Sequence, residues 1–381
     1  MKICVVSDVL GKENNGTTIA AMNLIRSLRK RGHEVRILCP DAEHKGEKDY
    51  YIVPTLNFGI FNEYVKKNGV VLAKKDKKII DEALDGVDAC HIMLPFSLCR
   101  ATLKECLKKN IPVTAGFHTQ AENVTAHFGL MFSRFVSWVI YHNFYRHLYR
   151  YAGTIHYPSE FIRNVFEKSI KKQTNGRVIS NGVNSVFVKK DVEKPDFLEG
   201  KIGILFIGRL SREKKHKYLI KAVKMSKYEK DIQLVFAGVG PTEKKIKCLS
   251  SSLTNKPYIN FFNHEDLVNT INACDLYVHP SSIEIEAISC LEAITCGLVP
   301  VINDSPKSAT RYFALDEKNL FKKDCPKDLT RKIDYWIEHP KEKEERSRDY
   351  LGYTKKFTFE DCMNQMEKMI IDNYNNTKGK K

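Results

Sequence analysis

Two glutamates, Glu284 and Glu292, are separated by seven residues in the segment His279-Pro-Ser-Ser-Ile-Glu-Ile-Glu-Ala-Ile-Ser-Cys-Leu-Glu-Ala-Ile-Thr-Cys-Gly297. The segment follows an apolar strand and opens a helix. With Glu284 in the loop and Glu292 two turns into the helix, the carboxylates lie about 12 Å apart at roughly 1.5 Å of rise per residue. That is too far to share a proton. It suits two carboxylates gripping two sugars, one on each side of a diphosphate. The helix N-terminus between them offers unpaired backbone N–H groups and a positive dipole end to the phosphates. Spacing alone favours an amphipathic helix with its charges on the outer face. A second pair, Arg209 and Lys214, follows the apolar run Phe206-Ile207-Gly208. A guanidinium fork and an ammonium point charge together can neutralise a leaving diphosphate. A plain basic loop is the alternative. No Asp-x-Asp occurs in the chain. No metal and no cofactor is therefore expected, the two cations and the helix end doing that work.

In this segment the chain resembles the retaining family 4 glycosyltransferases of the GT-B type. Their signature runs Pro-Ser, Glu, seven residues, Glu-Ala, then Gly and Pro. It is matched by Pro280, Ser281, Glu284, Glu292, Ala293, Gly297 and Pro300. The resemblance implies that Glu284 contacts the donor hexose and Glu292 the nucleotide ribose. The backbone N–H groups around Ile285, Glu286 and Ala287 would meet the diphosphate. Where the family often has Gly-Phe-Gly, this chain has Ile285-Glu286-Ala287. Glu286 should then point away from the phosphates or bind sugar hydroxyls. Gly208-Arg209-Leu210 with Lys214 resembles the family's Gly-Arg-Leu-x3-Lys, with Lys215 in place of the usual Gly. Gly238-Val-Gly240-Pro241 resembles its glycine-rich turn near the nucleotide. In the N-terminal half, His118 ends a strand where the resemblance places a histidine beside the donor sugar, although a lone His there is more often structural. Asn15-Gly16-Thr17 stands where the family has a glycine-rich first loop, with one Gly instead of two.

The acceptor is addressed by a different stretch. Asn123 to Ser159 contains no acidic residue. At helical spacing Arg134, Trp138, His142, Arg146 and Arg150 form a drifting stripe. Phe132, Phe135, Val136, Val139 and Ile140 are its apolar neighbours. A basic, aromatic amphipathic helix can lie in an anionic membrane interface, or it can be a long core helix with Arg at its exposed edge. The wording from Glu284 to Glu292 resembles the branch of the family that glucosylates diacylglycerol. That resemblance, with a formal net charge of +16, points to transfer of glucose from UDP-glucose to a membrane lipid. A soluble sugar or a cell-wall or capsule precursor is the alternative acceptor. The expected partners are a nucleotide sugar, an anionic membrane surface and a lipid, with no nucleic acid and no obligate protein partner.

The elements that must position these residues alternate apolar strand and amphipathic helix almost throughout. This predicts an α/β chain with two Rossmann-like domains. Strands are expected at Lys2–Val6, Val35–Cys39, His91–Met93, Val113–Gly116 and Thr154–Tyr157. A second cycle follows at Ile202–Ile207, Gln233–Ala237, Tyr258–Phe262, Leu276–His279 and Val299–Ile302. The expected boundaries are a first domain over 1–184, a linker over 185–200 and a second domain over 201–355. A helix over 356–375 should return to the first domain, and 376–381 should be a disordered tail. The first strand is too short for a signal-peptide core and no run reaches about 18 apolar residues. A cytoplasmic protein resting on the inner face of the cell membrane is therefore expected. The 11 cysteines are scattered without a Cys-x-x-Cys pair and read as reduced packing residues. Two other classes are disfavoured. The basic residues are dispersed and form no nucleic-acid module. The first loop lacks the G-x-G-x-x-G of a dinucleotide-binding dehydrogenase.

Overall fold

The computed structural model describes residues 1–10, 16–57, 59, 72–126 and 133–379. Asn15 of the first loop and Leu130 to Phe132 beside the basic stripe lie outside the described residues, as do Lys380 and Lys381. The chain forms two compact units. One comprises Met1–Asn181 together with the chain from Cys362, and the other Gly182–Asp361.

The first unit contains strands β1 (Lys2–Val6), β2 (Glu34–Cys39), β3 (Tyr50–Ile52), β4 (Ala89–Ile92), β5 (Val113–Gly116), β6 (Thr154–Tyr157) and β7 (Gly176–Val178). Its helices are α1 (Gly16–Lys30), α2 (Lys77–Ala83), α3 (Ser97–Lys108), α4 (Ala121–Ala126), α5 (Arg134–His147) and α6 (Glu160–Ile170). All strand pairs are parallel, in the order β3-β2-β1-β4-β5-β6-β7. Parallel strands need helical crossovers, so such a sheet is covered on both faces, and β1, β4, β5 and β6 are buried almost throughout, His91 and His156 included. Polar side chains then set the helix starts. Asp8 accepts from Leu98 N (2.7 Å) and Cys99 N (3.2 Å) at the start of α3, and Ser133 accepts from Val136 N at the start of α5.

The second unit contains β8 (Ile202–Ile207), β9 (Ile232–Ala237), β10 (Tyr258–Asn260), β11 (Leu276–His279), β12 (Pro300–Asn303) and β13 (Leu320–Phe321). They pair in parallel in the order β10-β9-β8-β11-β12-β13. Its helices are α7 (His216–Met225), α8 (Glu243–Leu249), α9 (His264–Ala273), α10 (Ile288–Thr295), α11 (Pro326–Glu338) and α12 (Pro340–Tyr353). Alternate residues of each strand enter opposite cores, as period-2 geometry requires. Leu205, Ile207, Val235, Ala237 and Tyr277 pack with Leu291 and Ile294 of α10, while Ile204, Phe206, Leu234, Phe236 and Leu276 pack with α7 and α11.

Three boundaries differ from expectation. The 185–200 stretch is no free linker, because Phe187 and Leu198 are buried in the second unit's core and Phe197 stacks on Tyr258. The chain crosses between units at Asn181/Gly182 instead. The expected disordered tail is helical as far as Lys378, in α13 (Phe359–Lys378). Met363, Met366, Met369, Ile370 and Asn373, spaced at three and four residues, bury one face of it. Glu367 pairs with Arg31 (3.2 Å) and His33 (2.7 Å), and Asp372 with Arg177 (2.8 Å). Gly153 makes room for this helix, since a Cβ there would clash with Asn373 Oδ1.

Candidate functional site

In the second unit the strand order reverses between β8 and β11. The loops beyond the carboxyl ends of two such strands diverge and leave a crevice, the usual ligand position in an open α/β sheet. Arg209 and Lys214 stand in the loop after β8, Glu284 in the loop after β11. The fold therefore brings together three of the residues singled out by spacing.

Lys214 Nζ lies 2.5 Å from Glu284 Oε1, and His279 Nε2 lies 3.2 Å from the same oxygen. His279 is in turn held through Nδ1, 2.9 Å from the Tyr277 hydroxyl. Burial by itself would raise the Glu284 carboxyl. Lys214 and the His279 hydrogen bond outweigh it and hold the carboxyl well below the usual carboxylate range. Burial lowers His279, and Glu284 opposes that shift. The result is a fixed, ionised carboxylate at a strand end, with an ammonium beside it. Arg209 is nearby in the chain, with its guanidinium 3.7 Å from Glu213. Ser282 N donates to the Glu213 carbonyl (3.0 Å) and so ties the two loops together. Asn303 Nδ2 donates to the Pro280 and Ser281 carbonyls, and Ser305 Oγ to the Ser282 carbonyl. These braces explain why Pro-Ser-Ser opens the segment: the small residues let Asn303 of β12 and Ser305 just beyond it reach the loop backbone.

Helix α10 begins at Ile288, so Glu292 is just over one turn into it and not two. Its carboxyl is pushed up to about 7 by burial. Ala287 sits at φ +65°, the left-handed region, directly before the helix. The family's glycine at this position has a backbone reason, and alanine bears the strain of about 1 kcal/mol. Glu286 is buried, so its side chain is turned into the protein. Gly238, at φ +152°, and Gly240 have a structural role: a Cβ on Gly238 would meet Gly208 O at 2.2 Å, and one on Gly240 would meet Leu210 O at 2.4 Å. The two glycine-bearing loops are pressed backbone to backbone, with Leu210 N donating to Val239 O (3.0 Å). His279, Tyr277, Asn303 and two exposed apolar side chains, Val239 and Phe261, just beyond the ends of the adjacent strands β9 and β10, were not singled out from the sequence. The hydrogen bond from Gly238 N to Asn260 O joins those strand ends. Only His279 had a local signal, as the first residue of the motif.

In the first unit His118 follows β5. It packs edge-on to His156 of β6 at 5.2 Å between ring centroids. A Cβ on Gly116 would lie 2.5 Å from His118 Nε2 and 3.6 Å from His91 Nε2, so this glycine makes room for both rings. His91 Nδ1 is 2.8 Å from Thr114 Oγ1, and His156 Nε2 is 2.7 Å from the Ile179 carbonyl. His91 Nε2, His118 Nε2 and His156 Nδ1 are buried with no hydrogen-bond partner among the described residues. Burial depresses all three, His91 to about 3, His156 to about 4 and His118 well below its ordinary value, with the neighbouring imidazoles adding to the shift of His91 and His118. His118 is thus one member of a neutral histidine cluster, a context its position in the sequence did not reveal. Gly16 is exposed at the start of α1, where a Cβ would meet nothing within 4 Å.

On α5, Ser137, Tyr141 and Phe144 are buried, while Arg134, Phe135, Trp138, Val139 and Arg146 face outward. Phe135 is 72% and Trp138 46% exposed, and their rings stack at 6.1 Å. Arg150 lies just beyond α5, exposed and 4.6 Å over the Tyr151 ring. One face of this helix is therefore core, and the opposite face carries both cations and bare aromatic surface. Among the described residues no helix is long and apolar enough to cross a membrane.

A sequence model of the glycosyl transferases group 1 matches residues 187–353, and one of Glycosyltransferase Family 4 matches residues 14–186. A GDP-mannose-dependent alpha-mannosyltransferase of Corynebacterium glutamicum is 23% identical over 327 residues, 79% of this chain and 72% of that protein. The catalytic domain of a cholesterol-alpha-glucosyltransferase from Helicobacter pylori is 48% identical, covering 41% of this chain and 99% of that one, with a TM-score of 0.40. An Anabaena protein, HepE, solved in complex with UDP and glucose, is 15% identical, covering 98% of this chain and 100% of that one, with a TM-score of 0.74.

Proposed function

We propose, from the premise that the chain belongs to the group 1, family 4 type glycosyltransferases and is a hexosyltransferase, that it moves glucose from UDP-glucose to a membrane lipid such as 1,2-diacylglycerol. In this reading the donor lies in the crevice after β8 and β11. Lys214 and Arg209 neutralise the diphosphate as it leaves. The N–H groups at Glu286, Ala287 and the start of α10 face the phosphates, and Gly238 lets its turn press against the loop that carries Arg209. Glu284 receives the hexose hydroxyls and Glu292 the ribose. A ribose hydroxyl donating to Glu292 would stabilise its ionised form, which burial now opposes. The acceptor hydroxyl enters on the face the diphosphate leaves, which retains the anomeric configuration.

The observation that carries the lipid reading is the outward face of α5, where Phe135, Trp138 and Val139 are exposed between Arg134 and Arg146. Apolar surface between cations suits a headgroup interface. A product analysis with UDP-glucose and GDP-mannose as donors tests the whole reading. Diacylglycerol, cholesterol (the acceptor named for the Helicobacter pylori domain) and soluble sugars are offered in separate reactions. GDP-mannose, the donor named for the Corynebacterium relative, replaces UDP-glucose if it alone supports turnover. Glycosylation of soluble sugars only would replace the lipid acceptor by a soluble or cell-wall precursor.

Binding to anionic vesicles isolates the α5 face. Each basic residue at such a surface contributes about 1 kcal/mol, screened over roughly 8–10 Å at moderate salt. Arg146→Ser with Arg150→Ser should weaken co-sedimentation with anionic vesicles about thirtyfold, and high salt should do the same to the unaltered protein. Indifference of the unaltered protein to such vesicles at low salt would remove the membrane reading.

The phosphate site as read uses side-chain cations and no metal. Among the described residues no three His, Cys, Asp or Glu side chains gather as metal ligands would. Turnover should survive exhaustive EDTA treatment. Loss of turnover restored only by Mg²⁺ or Mn²⁺ would show that the diphosphate is bridged by an ion.

A further inference from the structure

The first unit contains an open groove of about 870 Å³ bounded by α2, α3 and α5, within the size range of small-molecule sites. Its floor is apolar. Ile80 of α2 is buried, and Phe96 meets Phe144 of α5 edge-on at 6.1 Å. Its rim is basic. Lys75, Lys77, Arg100 and Lys104 all line it. Arg100 and Lys104 are one helical turn apart on α3 and so share a face. Arg100 is fixed in place, donating from Nε to the Pro95 carbonyl (2.7 Å) and from Nη2 to Asn143 Oδ1 (2.6 Å). The acidic lining residue, Glu105, lies 2.8 Å from Lys108 Nζ. Lys75, Lys77 and Lys104 are exposed, and none is paired with a carboxylate of the described residues.

We infer that this groove binds one molecule of an anionic phospholipid, separate from the lipid that accepts the sugar. The phosphate would sit among Arg100, Lys104 and Lys75, and an acyl chain would lie over Phe96 and Phe144. Two features favour a lipid over a small anion. The apolar floor has no use for a free phosphate. Asn143 and Phe144 of α5 line the groove, and Val139, one turn before Asn143, belongs to the exposed apolar face of that helix. A lipid in a bilayer touching that face would reach the groove without crossing water. The proposal rests on the membrane reading only for this delivery.

A short-chain phosphatidylglycerol, used as a monomer below its aggregation threshold, tests the groove without a membrane. Calorimetric titration should show binding at least tenfold tighter than for the matching phosphatidylcholine. Lys75→Glu with Lys104→Glu should weaken it at least tenfold, because two attractive charges become repulsive. Ala101→Trp, which places a large ring in the groove, should abolish it. If that variant fails to fold, the surface charge pair still decides. Equal affinity for both headgroups, or unchanged binding by the charge-reversed protein, overturns the inference. So does competition by inorganic phosphate at the lipid's own concentration, which would mean a simple anion site. Transfer to acceptor lipid in detergent is measured separately, so failure here leaves the proposed reaction standing, and failure there leaves the groove standing.

Discussion

Lys214→Ala is expected to lower turnover about a hundredfold at saturating donor. Removing a charge aimed at a leaving group costs about 3 kcal/mol of transition-state stabilisation. The same substitution should also lower thermal stability. Lys214 and Glu284 are 18% and 13% exposed, so the change strands a mostly buried carboxylate, a loss on the order of 3 kcal/mol. The two effects can be separated. Adding Glu284→Gln removes the stranded charge and should restore most of the melting temperature. It should not restore turnover, since the diphosphate still lacks its ammonium and the hexose has now lost its carboxylate. Recovery of turnover along with stability would reduce Lys214 to a structural partner of Glu284.

Acidification should unfold the first unit well before carboxylates titrate in the ordinary way. His91, His118 and His156 are held neutral in the folded chain, with His91 and His156 at about 3 and 4. In the unfolded chain each takes a proton near about 6.5. Below that pH the unfolded state binds protons that the folded state refuses. Stability is thus complete above about 6.5 and is lost as pH falls toward the folded values. Three such protons give a slope of up to about 4 kcal/mol per pH unit, against a total stability of about 5–15 kcal/mol for a typical domain. Asp8, raised by burial, works in the opposite direction. The chain has two tryptophans, Trp138 and Trp336, one in each unit. With Trp336→Phe the remaining fluorescence reports the first unit alone. Its urea midpoint should fall steeply between pH 6.5 and 5, and His91→Asn should flatten the fall. A midpoint unchanged over that range would show that the three rings are accessible to protons.

What could be read from the sequence depended on how local the signal was. The nine strands with four or more residues are short, mostly apolar runs and were legible to within two residues at either end. Strands β3, β7 and β13, of three, three and two residues, are too short to show a period and exist because a neighbouring strand pairs with them. Tyr258–Phe262 was expected as a strand but only Tyr258–Asn260 pairs; Phe261 turns outward. At the site, Glu284 and Lys214 were legible as motif residues but their contact was not. Seventy positions separate them, and only the sheet order brings β8 beside β11. The histidine cluster was hidden for the same reason, since each ring comes from a different strand end and no spacing announces it. The polar stretch before β8 misled because its few apolar residues, Phe187 and Leu198, are diluted by charge, yet each is fully packed.

Helix α13 completes the first unit with residues that come after the whole of the second. The second unit is one continuous stretch, Gly182–Asp361, whereas the first waits for the chain beyond Cys362. During synthesis the first 181 residues leave the ribosome with a bare site where Met363, Met366, Met369 and Ile370 will later pack. Arg31, His33 and Arg177 meanwhile lack their carboxylates. The half of the molecule made first is therefore finished last, and while the second unit is being synthesised that apolar surface stays uncovered. A stop codon just before residue 362 would harm the domain farthest from it in the gene.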